Sequence, residues 1–385
     1  MPTTRKTGSE LFDRLAIRPV INACGIYTDL GGSRLSPGVW AAAEAFNGQF
    51  VRMTELLDRT GERIASLLGV EAARITPGAA AAIFLGTAAC LAGTDGEKSQ
   101  QLPDTTGMRN DVLIQAGHRY KYDRQVGMTG ARLTEVGSKN GTRADQLEAA
   151  IGPDTAAILH PAHLDGKPGT LTLEEVVKIA QARGIPVIVD AAYLNYPTEI
   201  MGEFMRRGAD LVCISAKYFG GPNAGGFILG RKALIEAVSN VHFTRYESGK
   251  YLKLGRPLKM DRQMVIAVLV ALEEWLTLDH AARFTHYERQ VSMLKDRLSG
   301  LKGLKLDARC FTMDERFIDA PVNCLLVTFD RAAAKPAAEV ARLLEEENPS
   351  ILAIQEGDKI GFVMDVLADD EVAFIGERLN ALLSS

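Results

Sequence analysis

A chain of 385 residues, 46% apolar and 24% charged, is long enough to bury a large core plus a smaller one, and its composition excludes fibrous and disordered classes. The formal charge of −4 supplies no global field for nucleic acid, so a small-molecule partner is expected, with neither nucleic acid nor a membrane involved. Five scattered cysteines without a CxxC pair, a polar opening MPTTRKTGSE without an apolar signal core, and no apolar run of spanning length predict reduced thiols, a cytoplasmic address and no metal site.

Along the chain, the glycine-rich stretch RPVINACGIYTDLGGSRLSPGVW reads as a loop near a site, and Ser36-Pro37 as the start of a helix. Apolar residues recur at helical spacing from Met53 to Leu68 and stop at Gly69. ARITPGAAAAIFLG then reads as a short strand, a Pro-Gly turn and a buried helix, whereas the polar residues 94–110 predict an exposed loop. The next hundred residues alternate. Strands DVLIQ, ARLTEVG, TAAILHPA, IPVIVDAA and ADLVCISA are separated by helical YKYDRQVGMTG, ADQLEAAIG, LEEVVKIAQARG and EIMGEFMRRG. Such Val/Ile/Leu runs are buried on both faces, which predicts an α/β fold built on a mostly parallel sheet. Past 253–262 the pattern becomes one long helical region, 264–301, and then a small α+β domain. The predicted organisation is an N-terminal segment 1–40 serving the small domain and the mouth of the site, a large domain 41–255, and a linking helix with the small domain, 256–385.

Within ISAKYFGGPNAGGFILG, Lys217 follows the apolar strand ADLVCISA and precedes a glycine-rich turn, a poor place for a lysine with no chemical task. Most lysines beside a turn are surface residues, but three further features alter the reading. Asp190 closes the preceding strand, where a carboxylate can pair with a heterocyclic nitrogen cation. Gly78, Ala79 and Ala80 open a helix whose free N–H groups suit a phosphate, and Ser215 could add a hydroxyl. His118 follows DVLIQAG, where its ring could stack on a flat cofactor and move protons. A phosphate cradle, a stacking ring, a carboxylate and an imine-forming amine are the inventory that pyridoxal 5′-phosphate requires.

The ordered motifs TPGAAAA, GHRYKYDRQV, VDAAY, GADLVCISAKYFGGPNAGGFILG and GRPLKMD, preceded by INACGIYTDLGGSRLS, resemble the fold-type I pyridoxal phosphate enzymes of the selenocysteine synthase-like group. That group includes L-seryl-tRNA(Sec) selenium transferase and D-glucosaminate-6-phosphate ammonia-lyase relatives. The resemblance covers residues from about 21 to 259 and implies the fold-type I transferase fold with a seven-stranded-type sheet. It makes Lys217 the residue joined to the cofactor aldehyde, Asp190 the partner of the ring nitrogen, Gly78, Ala79 and Ala80 the phosphate site, and His118 the stacking ring. Where members often carry an arginine in the C-terminal strand, Gln355 stands here, so carboxylate binding is expected to fall to Arg256 or to another subunit, and Arg256, Lys259 and Tyr27 are the candidates for gripping substrate. The implied activity is a lyase reaction on a small, hydroxylated or phosphorylated amino acid, in a dimer or larger homo-oligomer with sites at its interfaces. Racemisation, with His118 or Tyr193 as the second acid, aminotransfer, and a non-catalytic nucleotide-binding role are the alternatives.

Overall fold

The computed structural model describes residues 4–384. The strands among these residues are β1 (Val20–Ala23), β2 (Ala72–Thr76), β3 (Asp111–Gln115), β4 (Arg132–Val136), β5 (Thr155–Pro161), β6 (Val187–Asp190), β7 (Leu211–Ser215), β8 (Gly226–Gly230), β9 (Leu304–Phe311), β10 (Phe317–Ile318), β11 (Cys324–Phe329), β12 (Ser350–Glu356) and β13 (Lys359–Val363). They fall into two compact units, one of residues 32–277 and one combining the chain up to 31 with the chain from 278 onward. No described helix is long and apolar enough to cross a membrane.

The larger unit is built on a seven-stranded sheet in the order β2-β8-β7-β6-β5-β3-β4. Neighbours from β7 to β4 pair in parallel, while β8 runs antiparallel to both β2 and β7. Alternate residues of each central strand enter different cores. Ile158, Val187, Val189, Val212 and Ile214 join one cluster with the helices Met53–Leu68 and Arg262–Thr277; Ala157, Leu159, Ile188, Leu211 and Cys213 join the other with the helix Ala79–Ala92. Burial on both faces explains why these strands read as unbroken apolar runs. This is the α/β architecture on a mostly parallel seven-stranded sheet that the sequence predicts.

The smaller unit carries a six-stranded sheet, β1-β12-β13-β11-β9-β10, in which β1 pairs in parallel with β12 and the other pairs are antiparallel. Residues 20–23 thereby tie the N-terminal part of the chain to its C-terminal part through Val20↔Ser350 to Ala23↔Ala353.

Several boundaries differ from those expected. The division at 255/256 falls inside the larger unit, because the helix Arg262–Thr277 buries Val265, Ala267, Val268, Ala271 and Leu272 in that core. Residues 32–40 belong there too; Ser33 Oγ donates to the Gly221 carbonyl at 2.6 Å. The single long helix expected over 264–301 breaks at Leu278, and Asp279 caps a second helix, His280–Leu298, by accepting from Ala282 N. The loop expected at 94–110 contains a short helix, Gly96–Gln101, capped by Asp95. The helix expected over 120–130 is instead two short 3-10 turns, 123–125 and 127–129, the second ended by Gly130 at φ +89°; the Asp123 carboxylate accepts from the Tyr120 N–H and from the Arg119 guanidinium.

Candidate active site

Parallel strands deliver their carboxyl ends to one edge of the sheet, where open α/β folds place their ligands. Asp190 is the last residue of β6 and pairs across to Cys213 of β7; Lys217 lies four residues further on, in the 3-10 turn Ala216–Phe219. The two side chains predicted to work together therefore leave adjacent strands at the same edge. Both are nearly enclosed, Asp190 at 5% and Lys217 at 9% exposure.

A series of partly exposed rings runs between them. Tyr120 donates its hydroxyl to Asp190 Oδ2 at 2.5 Å, and its ring meets that of His163 edge-on, with centroids 5.2 Å apart. His163 lies 5.9 Å from Tyr193, Tyr193 lies 6.0 Å from Tyr218, and Lys217 Nζ stands 4.9 Å from the Tyr218 ring centre. Asp190 Oδ1 accepts from Ala192 N at 3.1 Å. Burial pushes the Asp190 carboxyl up from its ordinary range, opposed by the Tyr120 and Ala192 hydrogen bonds and by His163 nearby.

Gly78 takes φ +90° and ψ 170°, a conformation that glycine adopts without strain, and it starts the helix Ala79–Ala92 with no side-chain cap. The first helical bond is Ala82 N to the Gly78 carbonyl, so the N–H groups of Ala79, Ala80 and Ala81 precede the intrahelical ladder. Gly226 of β8, paired with both Thr76 and Ser215, packs directly against this turn. A Cβ there would meet the Ile214 carbonyl at 2.4 Å and the Gly78 backbone at 2.9 Å. Gly226→Ala is therefore expected to lose about 1–3 kcal/mol in a urea melt and to distort the turn. Ser215 is buried at 7% exposure, and its N–H donates to the Ala192 carbonyl.

His118 takes a different place from the one expected. Its ring is fully enclosed, with Nε2 3.0 Å from Thr170 Oγ1, Nδ1 3.4 Å from Gln115 Nε2, and the ring of His160 edge-on at 5.1 Å. Within the ring series the imidazole beside Tyr120 and Tyr193 is His163. Burial, reinforced by His160, lowers His118 to about 4. Burial likewise holds His242 well below the ordinary histidine value. Both are neutral when folded at pH 7, whereas the unfolded chain gains protons as pH falls through about 6.5. Stability is thus present in full above pH ~6.5 and declines toward pH ~4, with His118 alone contributing up to about 3 kcal/mol. Urea melts across that range should show the decline, and His118→Gln should flatten part of it.

Of the residues expected to grip substrate, Arg256 pairs with Glu247 at 2.7 Å and lies 5.4 Å from the Tyr246 ring centre, and Lys259 is exposed. Tyr27 and Gln355 belong to the smaller unit, where Tyr27 is half-buried and the Gln355 amide donates to the Gly357 carbonyl. Tyr120, His163 and Tyr218 join this edge of the sheet in addition to the residues expected there. His163 follows strand TAAILHP just as Lys217 follows ADLVCIS, so the rule that selected the lysine was available for it as well.

A family model described as L-seryl-tRNA selenium transferase (SelA) matches residues 52–283, more than half of the chain. The chain belongs to the SelA family. The D-glucosaminate-6-phosphate ammonia lyase of Salmonella typhimurium is 33% identical over 303 residues, 77% of each chain. A Streptomyces 5′-C-glycyluridine monooxygenase-decarboxylase is 32% identical over 361 residues, covering 90% of this chain and 85% of the relative. A solved D-glucosaminate-6-phosphate ammonia-lyase superposes with a TM-score of 0.82 at 29% identity, over 97% of both chains. The matched family region contains Gly78, His118, Asp190, Lys217, Arg256 and Lys259.

Proposed function

We propose that this chain is a pyridoxal 5′-phosphate-dependent lyase that removes ammonia or a β-substituent from a small amino acid with a hydroxylated or phosphorylated tail. The observation that carries this reading is the placement of Lys217 and Asp190 at the ends of adjacent strands, joined by the ring series from Tyr120 to Tyr218. The residues fit the cofactor. A glycine turn whose space would be invaded by a Cβ on Gly226 offers N–H groups to a phosphate, a buried carboxylate suits a ring nitrogen, and a nearly buried amine suits an aldehyde.

When bound, the cofactor supplies an electron sink for the charge left at Cα after proton loss. The N–H groups of Ala79 and Ala80, with Gly78, hold its phosphate, and Ser215 borders that site. Asp190 keeps a proton on the ring nitrogen. Lys217 Nζ would hold the aldehyde and, when free, would serve as the base toward the substrate α-proton. The stacking face passes from His118 to His163. Arg256 and Lys259 would bind the acidic tail, with Arg256 exchanging Glu247 for substrate. The active form is a homodimer or larger assembly with sites at its interfaces, and the free state of all five cysteines supports a reducing, cytoplasmic setting.

The names of the relatives span an ammonia lyase, a monooxygenase-decarboxylase and selenium transferases, so product analysis must decide the reaction. D-glucosaminate 6-phosphate and hydroxylated or phosphorylated amino acids, incubated with the protein in deuterium oxide, should yield a 2-oxo acid and ammonia. Recovery of substrate of both hands carrying solvent deuterium, without 2-oxo acid, would establish racemisation in its place.

A further inference from the structure

We propose that Tyr120 is the positioning residue for Asp190, its hydroxyl fixing the carboxylate in the orientation that a protonated ring nitrogen needs. This rests on the pyridoxal phosphate reading of the site. A carboxylate at a strand end turns readily about its last torsion, which is broad. Here the two oxygens are held by different donors, Oδ2 by Tyr120 Oη at 2.5 Å and Oδ1 by Ala192 N at 3.1 Å. Each oxygen can accept two hydrogen bonds, so both keep capacity for an N–H donor from the ring.

Tyr120 is itself held. Its backbone N–H donates to Asp123 Oδ2 at 3.1 Å, Arg119 Nε donates to the same oxygen at 2.5 Å, and the Tyr122 and His163 rings meet the Tyr120 ring edge-on at 6.1 and 5.2 Å. The Asp123 contacts thus fix the backbone turn from which the Tyr120 side chain projects.

The groups facing Asp190 are Tyr120 from this turn, His163 from the turn after β5, and Cys213 from β7; Asp123 faces Tyr120. The Cys213 thiol is pushed well up by burial and stays neutral. Burial opposes ionisation of Asp190, and the Tyr120 bond is the largest influence favouring it. Without the hydroxyl the carboxyl titrates higher, and once protonated it no longer pairs with a ring cation.

The test is uptake of pyridoxal phosphate by the apoprotein, wild type and Tyr120→Phe, followed by absorbance from pH 5.5 to 8.5 on the order of half-unit steps. The phenylalanine variant is expected to bind about tenfold more weakly at pH 7. Its acid midpoint for uptake should lie about one pH unit higher. In the apoprotein, difference infrared spectroscopy referenced to Asp190→Asn should show the carboxyl itself titrating higher by a similar amount. That measurement needs no cofactor. Unchanged affinity and midpoint, or uniformly weaker uptake with an unmoved midpoint and carboxyl, would overturn the proposal by reducing Tyr120 to ring packing. Wild-type protein that takes up no pyridoxal phosphate at any pH would overturn the underlying reading, and this inference with it, in a pattern distinct from the other two.

Discussion

Lys217→Ala is expected to lower α-proton exchange and product formation by about 10⁴-fold or more, while leaving the melting curve close to that of the wild type. Under the proposed assignment, two functions leave with the one amine, the covalent hold on the aldehyde and the base that removes the α-proton. The structural cost is small because the residue sits in a turn after β7, and its neighbours Ala216 and Phe219 supply the packing. Added methylamine should return part of the exchange activity, since it replaces the missing amine without restoring its tether. Exchange in deuterium oxide, measured across a panel of amino acids, checks both statements. A variant retaining a tenth or more of wild-type exchange would contradict the assignment.

Asp190→Ala should be nearly as severe, with turnover lower by about 10²–10⁴-fold. The carboxylate is buried at the end of β6, so its removal leaves the Tyr120 hydroxyl without its acceptor and, under the proposed assignment, the ring nitrogen without an anionic partner. Asp190→Asn separates these effects. An amide keeps an oxygen for the Ala192 N–H and a polar partner for Tyr120, but carries no charge, so the fold should survive while turnover falls. The unpaired Tyr120 hydroxyl in the alanine variant is expected to cost about 1–3 kcal/mol in stability beyond the asparagine variant. Equal stability of the two, or full activity of the asparagine variant, would count against the electrostatic role.

The parts of the fold legible in the sequence are those where one signal dominates. β3, β5, β6 and β7 lie inside apolar runs because both faces of the sheet are covered, and the helix Met53–Leu68 is marked by its period and by Gly69 at φ +64°. The chain hides β8 for the opposite reason: GFILG begins in a glycine-rich stretch that must pass close to the Gly78 turn, so close approach removed the side chains that announce a strand. β9 alternates partly exposed positions and lacks an apolar run, and β1 is only four residues long, stabilised by a partner more than 300 positions away. The domain boundary was misplaced because helix Arg262–Thr277, apolar around much of its surface, reads as continuous with the helix after it; only tertiary packing assigns it to the larger core.

The placement of Asp190 and Lys217 at one edge of the sheet was legible, because each is a polar residue at or just beyond the end of an apolar strand. His118 obeys the same rule, yet the chain folds its ring inward against Thr170, Gln115 and His160. Position after a strand fixes the edge of the sheet where a residue emerges, whereas the direction of its side chain depends on turns and partners remote in sequence. Tyr120 illustrates the converse, since the turn from which it projects is fixed by Asp123.

The most direct test of the central claim is the site of covalent attachment. Protein loaded with pyridoxal phosphate should absorb visible light, lose that absorption on treatment with borohydride, and yield one modified peptide after digestion, carrying the added pyridoxyl mass on Lys217. A colourless protein, or a modified lysine at any other position, would contradict it.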